Sequence, residues 1–295
     1  MTNDKSIISD IQSQLLPCYP EDEARALALW IIEESTGFSR SEILTGCKGT
    51  KNIPNLQTII ERLLHFEPIQ YIFGHTLWYG LDLKVTPATL IPRPETAELV
   101  EAICKSKIKN LKSKIHILDV GTGSGCIAIA LKKRHPEWQV TGIDISPEAI
   151  EIAKENARRN NVEVEFKVAD IFDSNGEMVN GKCINGKWFD LVVSNPPYIC
   201  ESEKASMRKN VLDFEPAQAL FVPDDDPLKF YRRIAELFSL PLKGKDRERG
   251  FLFFEINEAY GEEVTNLLRE LGYTEVQLIQ DIYGKARIVT GRMVG

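Results

Sequence analysis

Residues 190–198 read DLVVSNPPY, and this stretch decides how the chain around it is interpreted. Its apolar, β-branched run at 191–193 predicts a buried strand. Two successive prolines cannot donate hydrogen bonds to a sheet, so the strand must end there. The result is a stiff, exposed turn at the carboxyl end of a strand, which presents the Asn195 amide, the Pro196 carbonyl and the Tyr198 ring.

This turn suits the binding of a planar amino group. The side-chain oxygen of Asn195 and the carbonyl of Pro196 can each accept one N–H hydrogen bond, while Tyr198 packs on the plane. Pro197 holds Pro196 in an extended conformation. The alternative is an ordinary strand end with a surface asparagine, and the rest of the chain decides between the two.

The sequence on either side of the turn alternates strands and helices. Strands are predicted over residues 115–120, 138–143, 162–168, 189–193 and 251–256, with a final antiparallel pair over 274–279 and 286–290. This alternation predicts an α/β fold, a doubly wound and mostly parallel sheet covered by helices on both faces. Ligands bind such sheets outside the carboxyl ends of the strands.

Candidate ligand-binding residues fall at several of these strand ends. The glycine turn GTGSG at 121–125 lets the backbone approach a ligand, and its spacing is shorter than the dinucleotide fingerprint. Asp144 suits ribose hydroxyls, Asp170 an adenine amino group, and Asp119 an ammonium group, directly or through water. Together, the glycine turn and the three aspartates favour a nucleoside that carries an amino acid, a description that S-adenosylmethionine fits.

The chain is expected to form three parts, a helical domain at 1–74, a β-hairpin hinge at 75–93 and a catalytic domain at 94–295. Apolar residues recur at helical spacing in the first part, which is either a plain bundle or a module that recognises a large substrate. Arg93, between two prolines, is either a surface charge or a positioning residue. A helix is predicted from Pro94 to about residue 107, a surface insertion over 174–187, and an irregular functional loop over 200–226.

Composition disfavours several classes of protein. The net charge of −7 argues against broad non-specific nucleic-acid binding. The start of the chain lacks the apolar core of a signal peptide, and no apolar run reaches the length of about 20 residues that a membrane span needs. The six cysteines form no CxxC pair, which disfavours a metal site and fits the cytoplasm. We expect a monomer without metal, membrane or stable nucleic-acid binding.

The motifs DVGTGSG at 119–125 and NPPY at 195–198 resemble class I S-adenosylmethionine-dependent methyltransferases that act on a planar nitrogen. A wider set resembles the HemK/PrmC family over nearly the whole chain. That set comprises PIQYIFG at 68–74, LIPRPET at 90–96, Glu215-Pro216 with ALF at 219–221, and Asp281 with Gly284 and Arg287. Two positions depart from the family, Asn257 where glycine is common, and Ile171 where an aromatic often stacks near the adenine.

The resemblance implies methyl transfer from S-adenosylmethionine to the glutamine amide of the Gly-Gly-Gln motif in peptide-chain release factors. It implies catalysis by Asn195, Pro196 and Tyr198, and substrate binding by the same residues with Pro197 and Arg93. It also implies a cofactor site that comprises Asp119, Gly121, Thr122, Gly123, Gly125, Asp144, Asp170, Ile171 and Asn195. The alternatives are methylation of a glutamine in a ribosomal protein or of adenine in DNA, and the acidic net charge disfavours DNA. A non-enzymatic nucleotide-binding scaffold would leave the NPPY turn without a use.

Overall fold

A computed structural model describes residues 4–46, 53–106, 108, 114–173, 189–239 and 250–293. The chain divides into two compact units. The first comprises Met1–Gly74 with Arg208–Phe214, and the second comprises His75–Met207 with Glu215–Gly295. The insertion predicted at 174–187 lies outside the described residues. Of the helices in the described ranges, none has the length and apolar content to cross a membrane.

The first unit is helical, as its periodicity predicts. Its helices are α1 (Asp4–Leu15), α2 (Glu21–Thr36), α3 (Arg40–Thr45), α4 (Leu56–Leu64) and α5 (Ile69–Phe73). The predicted apolar positions form its core, with Ile11, Leu15, Ala28 and Ile60 all at most 1% exposed. Local signals set the boundaries. Gly37 ends α2 in the left-handed conformation, and a Ser39–Glu42 capping box begins α3.

The second unit begins with an antiparallel hairpin of β1 (His75–Trp78) and β2 (Leu81–Lys84). The alternation of helices and strands then follows in the order α6 (Thr96–Lys105), β3 (His116–Val120), α7 (Cys126–Arg134), β4 (Gln139–Asp144), α8 (Pro147–Arg159), β5 (Glu165–Val168) and β6 (Leu191–Ser194). The chain continues with β7 (Ile199–Cys200), α9 (Lys209–Leu212), β8 (Phe221–Val222), α10 (Lys229–Ser239), β9 (Phe251–Glu255), α11 (Gly261–Glu270), β10 (Tyr273–Gln280) and β11 (Ala286–Met293).

Seven strands form the central sheet in the order β10-β11-β9-β6-β3-β4-β5. The pairs from β9 to β5 are parallel, and β11 is antiparallel to both β9 and β10. Neighbouring residues of one strand pack on opposite faces. Val193 lies in a core with α6, α7 and α8, and Val192 lies in a core with α10 and α11. Burial of both faces explains why the central strands read as continuous apolar runs, and the predicted doubly wound fold is confirmed.

Three local predictions were wrong in detail. Helix α6 begins at Thr96, because the residues from Pro94 first form a turn with i to i+3 hydrogen bonds. Strand β5 begins at Glu165, since the preceding residues close the end of α8 through a positive φ at Asn161. The loop over 200–226 is not irregular, because it contains β7, α9, β8 and two 3-10 helices. These short elements are stabilised by contacts that no periodic pattern of apolar residues in the sequence predicts.

Candidate active site

A solvent-open cavity of about 270 Å³ lies at the carboxyl ends of β3, β4 and β6. This is the edge at which the sheet topology predicts a ligand. The second unit contributes the whole lining, which includes Thr89, Leu90, Gly121, Gly123, Ile143, Asp144, Asp170, Ile171, Phe172, Asn195, Pro196, Pro197, Pro216, Gln218, Ala219, Lys229 and Phe230.

The glycine turn forms one wall of the cavity. Gly121 and Gly123 have φ values of +71° and +52°, a region that residues with a Cβ rarely adopt. A Cβ on Gly121 would meet no atom within 4 Å, so the turn leaves open space where a side chain would stand. Gly125 has another use. A Cβ there would come within 3.1 Å of Ala153, Ile129 and Phe166, so this glycine permits close packing and does not line the cavity.

Asp144 joins the glycine turn to the end of β4. Its Oδ2 accepts from the Gly123 N–H at 2.9 Å, and its Oδ1 accepts from the Ser146 N–H at 2.9 Å. Burial raises the pKa of Asp144, and these backbone hydrogen bonds oppose the rise. Each carboxylate oxygen can accept a further hydrogen bond. Asp144 therefore stands on the cavity wall with the capacity to accept from a pair of hydroxyls.

Asp119 is fully buried and does not line the cavity, so the ammonium contact predicted for it, directly or through water, stays a prediction. Its Oδ2 accepts from the Thr122 hydroxyl at 2.7 Å and from the Ala128 N–H at 3.3 Å. Oδ1 has no hydrogen-bond partner among the described residues. Burial raises the pKa of Asp119 to about 7. Asp119 and Thr122 therefore hold the glycine turn from inside the fold.

An aromatic wall lies beyond Asp170. Asp170 and Ile171 line the cavity, and Asp170 Oδ1 accepts from the Phe172 N–H at 2.8 Å. Phe172 supplies the aromatic ring one residue later than the family pattern places it. Its ring packs edge-on against Phe230 with centroids 5.3 Å apart, and Lys229 Nζ lies 4.9 Å from its centroid. None of these three residues was predicted to belong to the site, although an aromatic next to Ile171 was the available signal.

The NPP turn forms another part of the cavity wall. Ser194 Oγ donates to the Val120 carbonyl at 2.7 Å and fastens the end of β6 to β3. Asn195 Nδ2 donates to Thr96 Oγ1 at 3.2 Å. Asn195 Oδ1 and the Pro196 carbonyl accept no hydrogen bond from the described residues. Two acceptors on adjacent residues therefore stand on the cavity wall for a ligand's donors.

Tyr198 does not line the cavity, whereas the sequence predicted that its ring would pack on the substrate. Its hydroxyl donates to Glu255 Oε1 at 3.3 Å, and burial raises the pKa of Tyr198. Its carbonyl accepts from Asn257 Nδ2 at 3.2 Å, so the residue that departs from the family pattern also braces the turn. Through its contacts with Glu255 and Asn257, Tyr198 anchors the turn to the core.

Arg93 also acts behind the cavity wall. Its Nη2 donates to Glu215 Oε1 at 2.6 Å, and the Glu215 side chain is 1% exposed. Glu215 Oε2 accepts from the Ile91 N–H at 3.2 Å, while Trp78 Nε1 donates to the Arg93 carbonyl at 2.7 Å. The ion pair thereby joins the segment before α6 to the loop that contains Pro216. Both segments line the cavity, and Arg93 itself does not.

The structure thus divides the predicted site residues into two sets. The cavity is lined by Gly121, Gly123, Asp144, Asp170, Ile171, Asn195, Pro196 and Pro197. The set that supports the lining from behind comprises Arg93, Asp119, Thr122, Gly125 and Tyr198. The cavity wall combines the glycine turn, the Asp144 carboxylate and the Phe172 ring. These features fit the nucleoside and amino-acid parts of S-adenosylmethionine. The facing pair of acceptors fits a planar amino group next to it.

Comparisons with known proteins agree with this chemistry. Residues 7–74 match a family described as the PrmC N-terminal domain, and residues 111–241 match one described as a methyltransferase domain. A release factor glutamine methyltransferase of Bacteroides thetaiotaomicron is 43% identical over 293 residues, which cover 96% of this chain and 98% of the relative. One from Flavobacterium psychrophilum is 45% identical and covers 93% and 94%. The crystal structure of the hMettl16 catalytic domain, 17% identical, covers 73% of this chain and 76% of its own, with a TM-score of 0.52, and shares the fold.

Proposed function

The chain belongs to the release factor glutamine methyltransferase family, and from this premise we propose that Asn195 and Pro196 hold the substrate amide for methyl transfer. The protein transfers a methyl group from S-adenosylmethionine to the side-chain amide nitrogen of a glutamine in peptide-chain release factors. That glutamine is the one in the Gly-Gly-Gln motif. The observation that carries the proposal is that the NPP turn and the glycine turn line one cavity.

The main chemical difficulty is that a carboxamide nitrogen is a poor nucleophile, because its lone pair is delocalised into the carbonyl. S-adenosylmethionine, when bound, supplies a strongly electrophilic sulfonium methyl group. The protein must then align the two, and alignment of reactants contributes several kcal/mol to the lowering of a barrier. Asn195 Oδ1 and the Pro196 carbonyl accept the two amide N–H bonds and fix the direction of the nitrogen.

These two hydrogen bonds also stabilise the transition state selectively. Positive charge develops on the nitrogen as it attacks, so its N–H groups become stronger donors than in the ground state. An interaction that strengthens in this way raises the rate and not only the affinity. The attack gives a cationic, N-methylated amide, which is a strong acid and loses its extra proton to water, so the step requires no dedicated general base.

The remaining residues are proposed to bind the cofactor and to support the site. Gly121 and Gly123 admit the amino-acid part, Asp144 accepts from the ribose hydroxyls, and Phe172 packs near the adenine beside Asp170. Support for Asp144 comes from its unused accepting capacity and its place on the wall. Arg93 and Tyr198 position the wall segments and do not touch the substrate.

The helical unit is proposed to dock the intact release factor, because the family match extends through residues 7–74, which hold no residue of the cavity lining. We also propose a monomer that binds no nucleic acid stably. Among the described cysteines, Cys18, Cys104, Cys126 and Cys200 are free thiols, which supports the proposal of a reducing, cytoplasmic location.

The direct test uses S-adenosylmethionine labelled in its methyl group. We expect label to enter a purified release factor, and to be lost when the glutamine of its Gly-Gly-Gln motif is replaced by alanine. A ribosomal protein fraction and double-stranded DNA serve as the competing acceptors. Label in either of these, with none in the release factor, would overturn the proposed substrate.

The two proposed acceptors of the substrate amide, Asn195 Oδ1 and the Pro196 carbonyl, are called the amide clamp. The variant Asn195→Ala tests it. This variant removes one acceptor and keeps both prolines, so cofactor affinity should barely change. The rate of a single turnover at saturating cofactor should fall about a hundredfold or more, the scale seen when one group is deleted from a preorganised site. Transfer at the wild-type rate would show that Asn195 and Pro196 do not form the clamp.

A further inference from the structure

Glu255 is a buried carboxyl group next to the amide clamp that the proposed mechanism does not use. It is the last residue of β9, and the β9–β6 register pairs Phe254 with Ser194, so Glu255 lies beside Asn195 at the same sheet edge. It is 1% exposed. Oε1 accepts from the Tyr198 hydroxyl at 3.3 Å, while the buried Oε2 has no hydrogen-bond partner among the described residues.

The surroundings do not neutralise this carboxyl group. Arg287 on β11 is the opposite charge that acts on it, but the Arg287 guanidinium donates to Asp281 Oδ2 at 3.1 and 3.3 Å. Burial raises the pKa of Glu255 to about 7, against the effects of the Thr96 and Tyr198 hydroxyls and of Arg287. Several titratable or charged groups, on all of the elements packed against this site, act on Glu255 or on the Arg287 guanidinium. They are Glu95, Cys126, Tyr198, Tyr231, Asp281 and Arg287.

Thr96 connects Glu255 to the clamp. Its oxygen accepts from Asn195 Nδ2 at 3.2 Å, so its single proton must point elsewhere. The Thr96 hydroxyl also acts to lower the pKa of the Glu255 carboxyl group, although no hydrogen bond joins the two groups among the described residues. Glu255 Oε2, buried and without another partner, is the acceptor available to that proton.

We propose that Glu255 is a positioning residue that acts through Thr96 to hold the Asn195 amide with Oδ1 toward the substrate. This inference rests on the proposed function of Asn195 as an acceptor. An ionised carboxylate can only accept, so Thr96 donates to Glu255 and can then only accept from Asn195 Nδ2. That leaves Asn195 Oδ1 for the substrate N–H.

Protonation of Glu255 reverses this chain of hydrogen bonds. The acid donates to Thr96, Thr96 donates to Asn195 Oδ1, and the amide turns its own NH2 group toward the substrate NH2. Two donors then face each other and the clamp is lost. The active form is therefore the one with Glu255 ionised, so the methyl-transfer rate decreases as the pH falls through the pKa of Glu255.

The test compares single-turnover rates from pH 6 to 8.5 at saturating cofactor and release factor. In the wild type we expect the rate to fall toward tenfold per pH unit at the acidic end. Glu255→Gln should be slower by about tenfold or more at pH 8, and it should lose the acidic limb of the profile, which is the fall in rate toward low pH. Asp119→Asn, which removes the other carboxyl group with a pKa near 7, should keep it.

Substitutions of Thr96 test the proposed chain of hydrogen bonds from Glu255 through Thr96 to Asn195, called the relay, without altering a charge. Thr96→Val removes the hydroxyl and should slow transfer about tenfold or more with cofactor affinity unchanged, and Thr96→Ser should restore the rate. Thr265→Val is the matched control, because Thr265 is equally buried and donates only to the Gly261 carbonyl on α11. It should retain the wild-type rate.

The outcomes separate this inference from the proposed function. If Asn195→Ala transfers methyl at the wild-type rate, the clamp itself is wrong and the relay falls with it. If Asn195→Ala is slow but Thr96→Val is fast, the relay is overturned and the clamp stands. A slow Glu255→Gln that keeps the wild-type acidic limb would show a purely structural role. Should Glu255→Gln fail to fold, the Thr96 series decides alone.

Discussion

At the residue scale, two aspartates beside the glycine turn show how similar sequence positions acquire different roles. Asp119 is the penultimate residue of β3 and Asp144 the last residue of the neighbouring parallel strand β4, and both hold the turn through hydrogen bonds. Asp144 stands on the cavity wall, whereas Asp119 is fully buried. The difference arises because the Asp119 side chain turns toward the start of α7 and accepts from Ala128. One carboxylate is therefore available to a ligand, and the other supports the turn.

Replacement of Asp144 by alanine should weaken cofactor binding. The ribose hydroxyls would lose their acceptor, and unpaired polar groups cost about 1–3 kcal/mol, which corresponds to roughly 5-fold to 150-fold in affinity. Calorimetry with the demethylated cofactor measures the change. Thermal unfolding of the ligand-free variant is the control, because Asp144 also accepts from Gly123 and Ser146. Unchanged affinity in a folded variant would remove Asp144 from the site.

Asp119→Asn should make the stability of the ligand-free protein less dependent on pH. The folded protein keeps the Asp119 proton up to about pH 7, whereas the unfolded chain loses it near the ordinary value of about 4. The folded state therefore binds more protons between these values, and the free energy of unfolding falls as the pH rises through that window. Unfolding midpoints at pH 5 and pH 8 should differ less in the variant than in the wild type.

A second buried carboxyl group contributes to the same pH dependence, so its share must be measured separately. The pKa of Glu255 is also raised to about 7, so the wild-type dependence has two contributions of the same sign. Glu255→Gln should remove one, and the double variant should remove both. An equal loss of stability between pH 5 and pH 8 in the wild type and in Asp119→Asn would mean that Asp119 ionises as an exposed carboxyl group does.

The sequence predicted residue types at the site better than their orientations. Asp144, Asn195 and Pro196 were predictable because the carboxyl ends of parallel strands meet at one edge. Which way Asp119 and Tyr198 turn depends on donors and acceptors from distant parts of the chain, Ala128 for the first and Glu255 for the second. Such partners have no fixed spacing, so the pattern could not separate wall residues from those behind the wall.

At the scale of elements, the strand and helix order followed from the sequence because each central strand is buried on both faces. The short elements after β6 did not follow from it. Strands β7 and β8 have two residues each, and they exist because Tyr198 and Ile199 donate to the Leu220 carbonyl. A pairing of that size leaves no periodic pattern, so tertiary contacts determine it.

The Arg93–Glu215 pair should stabilise the two segments that it joins. Arg93→Ala leaves the buried Glu215 carboxylate with the Ile91 N–H as its donor. We expect a loss of about 1–3 kcal/mol in the free energy of unfolding, less than for a fully buried pair because the Arg93 side chain is 34% exposed. Glu215→Gln keeps an acceptor for Ile91 and should cost less. Urea unfolding of both variants measures the difference.

A double-mutant cycle provides the control for this pair. Once Glu215 is neutral, removal of Arg93 should cost little more, so the two effects should fall short of additivity by about 1 kcal/mol. Additive effects would mean that the guanidinium and the carboxylate do not stabilise each other. In that case the segment before α6 would be held by the Trp78–Arg93 carbonyl hydrogen bond instead.

At the scale of the whole molecule, the chain crosses between its two units more than once. Arg208–Phe214 follows the NPPY turn in sequence yet clusters with the helical unit. Within that unit Arg208 pairs with Glu23 at 3.1 Å, and Lys209 Nζ lies 5.3 Å from the Phe66 ring centroid. The predicted boundary near residue 74 assigned this segment to the catalytic domain, because a contact between residues far apart in sequence leaves no local signal.

A chain that begins at His75 should separate the two roles proposed for the units. The whole cavity lining belongs to the second unit, so cofactor affinity should stay within a few-fold of the full-length value. Methylation of an intact release factor should fall by at least tenfold, since the surface proposed to dock it is gone. Steady-state rates at several release-factor concentrations show whether the loss lies in KM, as a docking role requires.

A short peptide that contains the Gly-Gly-Gln motif is the control acceptor, because it reaches the NPP turn without a docking surface. The truncated and full-length chains should methylate it at similar rates. If the truncated chain loses activity on peptide and intact factor alike while it still binds cofactor, the helical unit instead orders the loop at 208–214 that it packs against. If it methylates the intact factor at the full-length rate, docking takes place on the second unit. The two acceptors therefore locate the recognition of the release factor on one unit or the other.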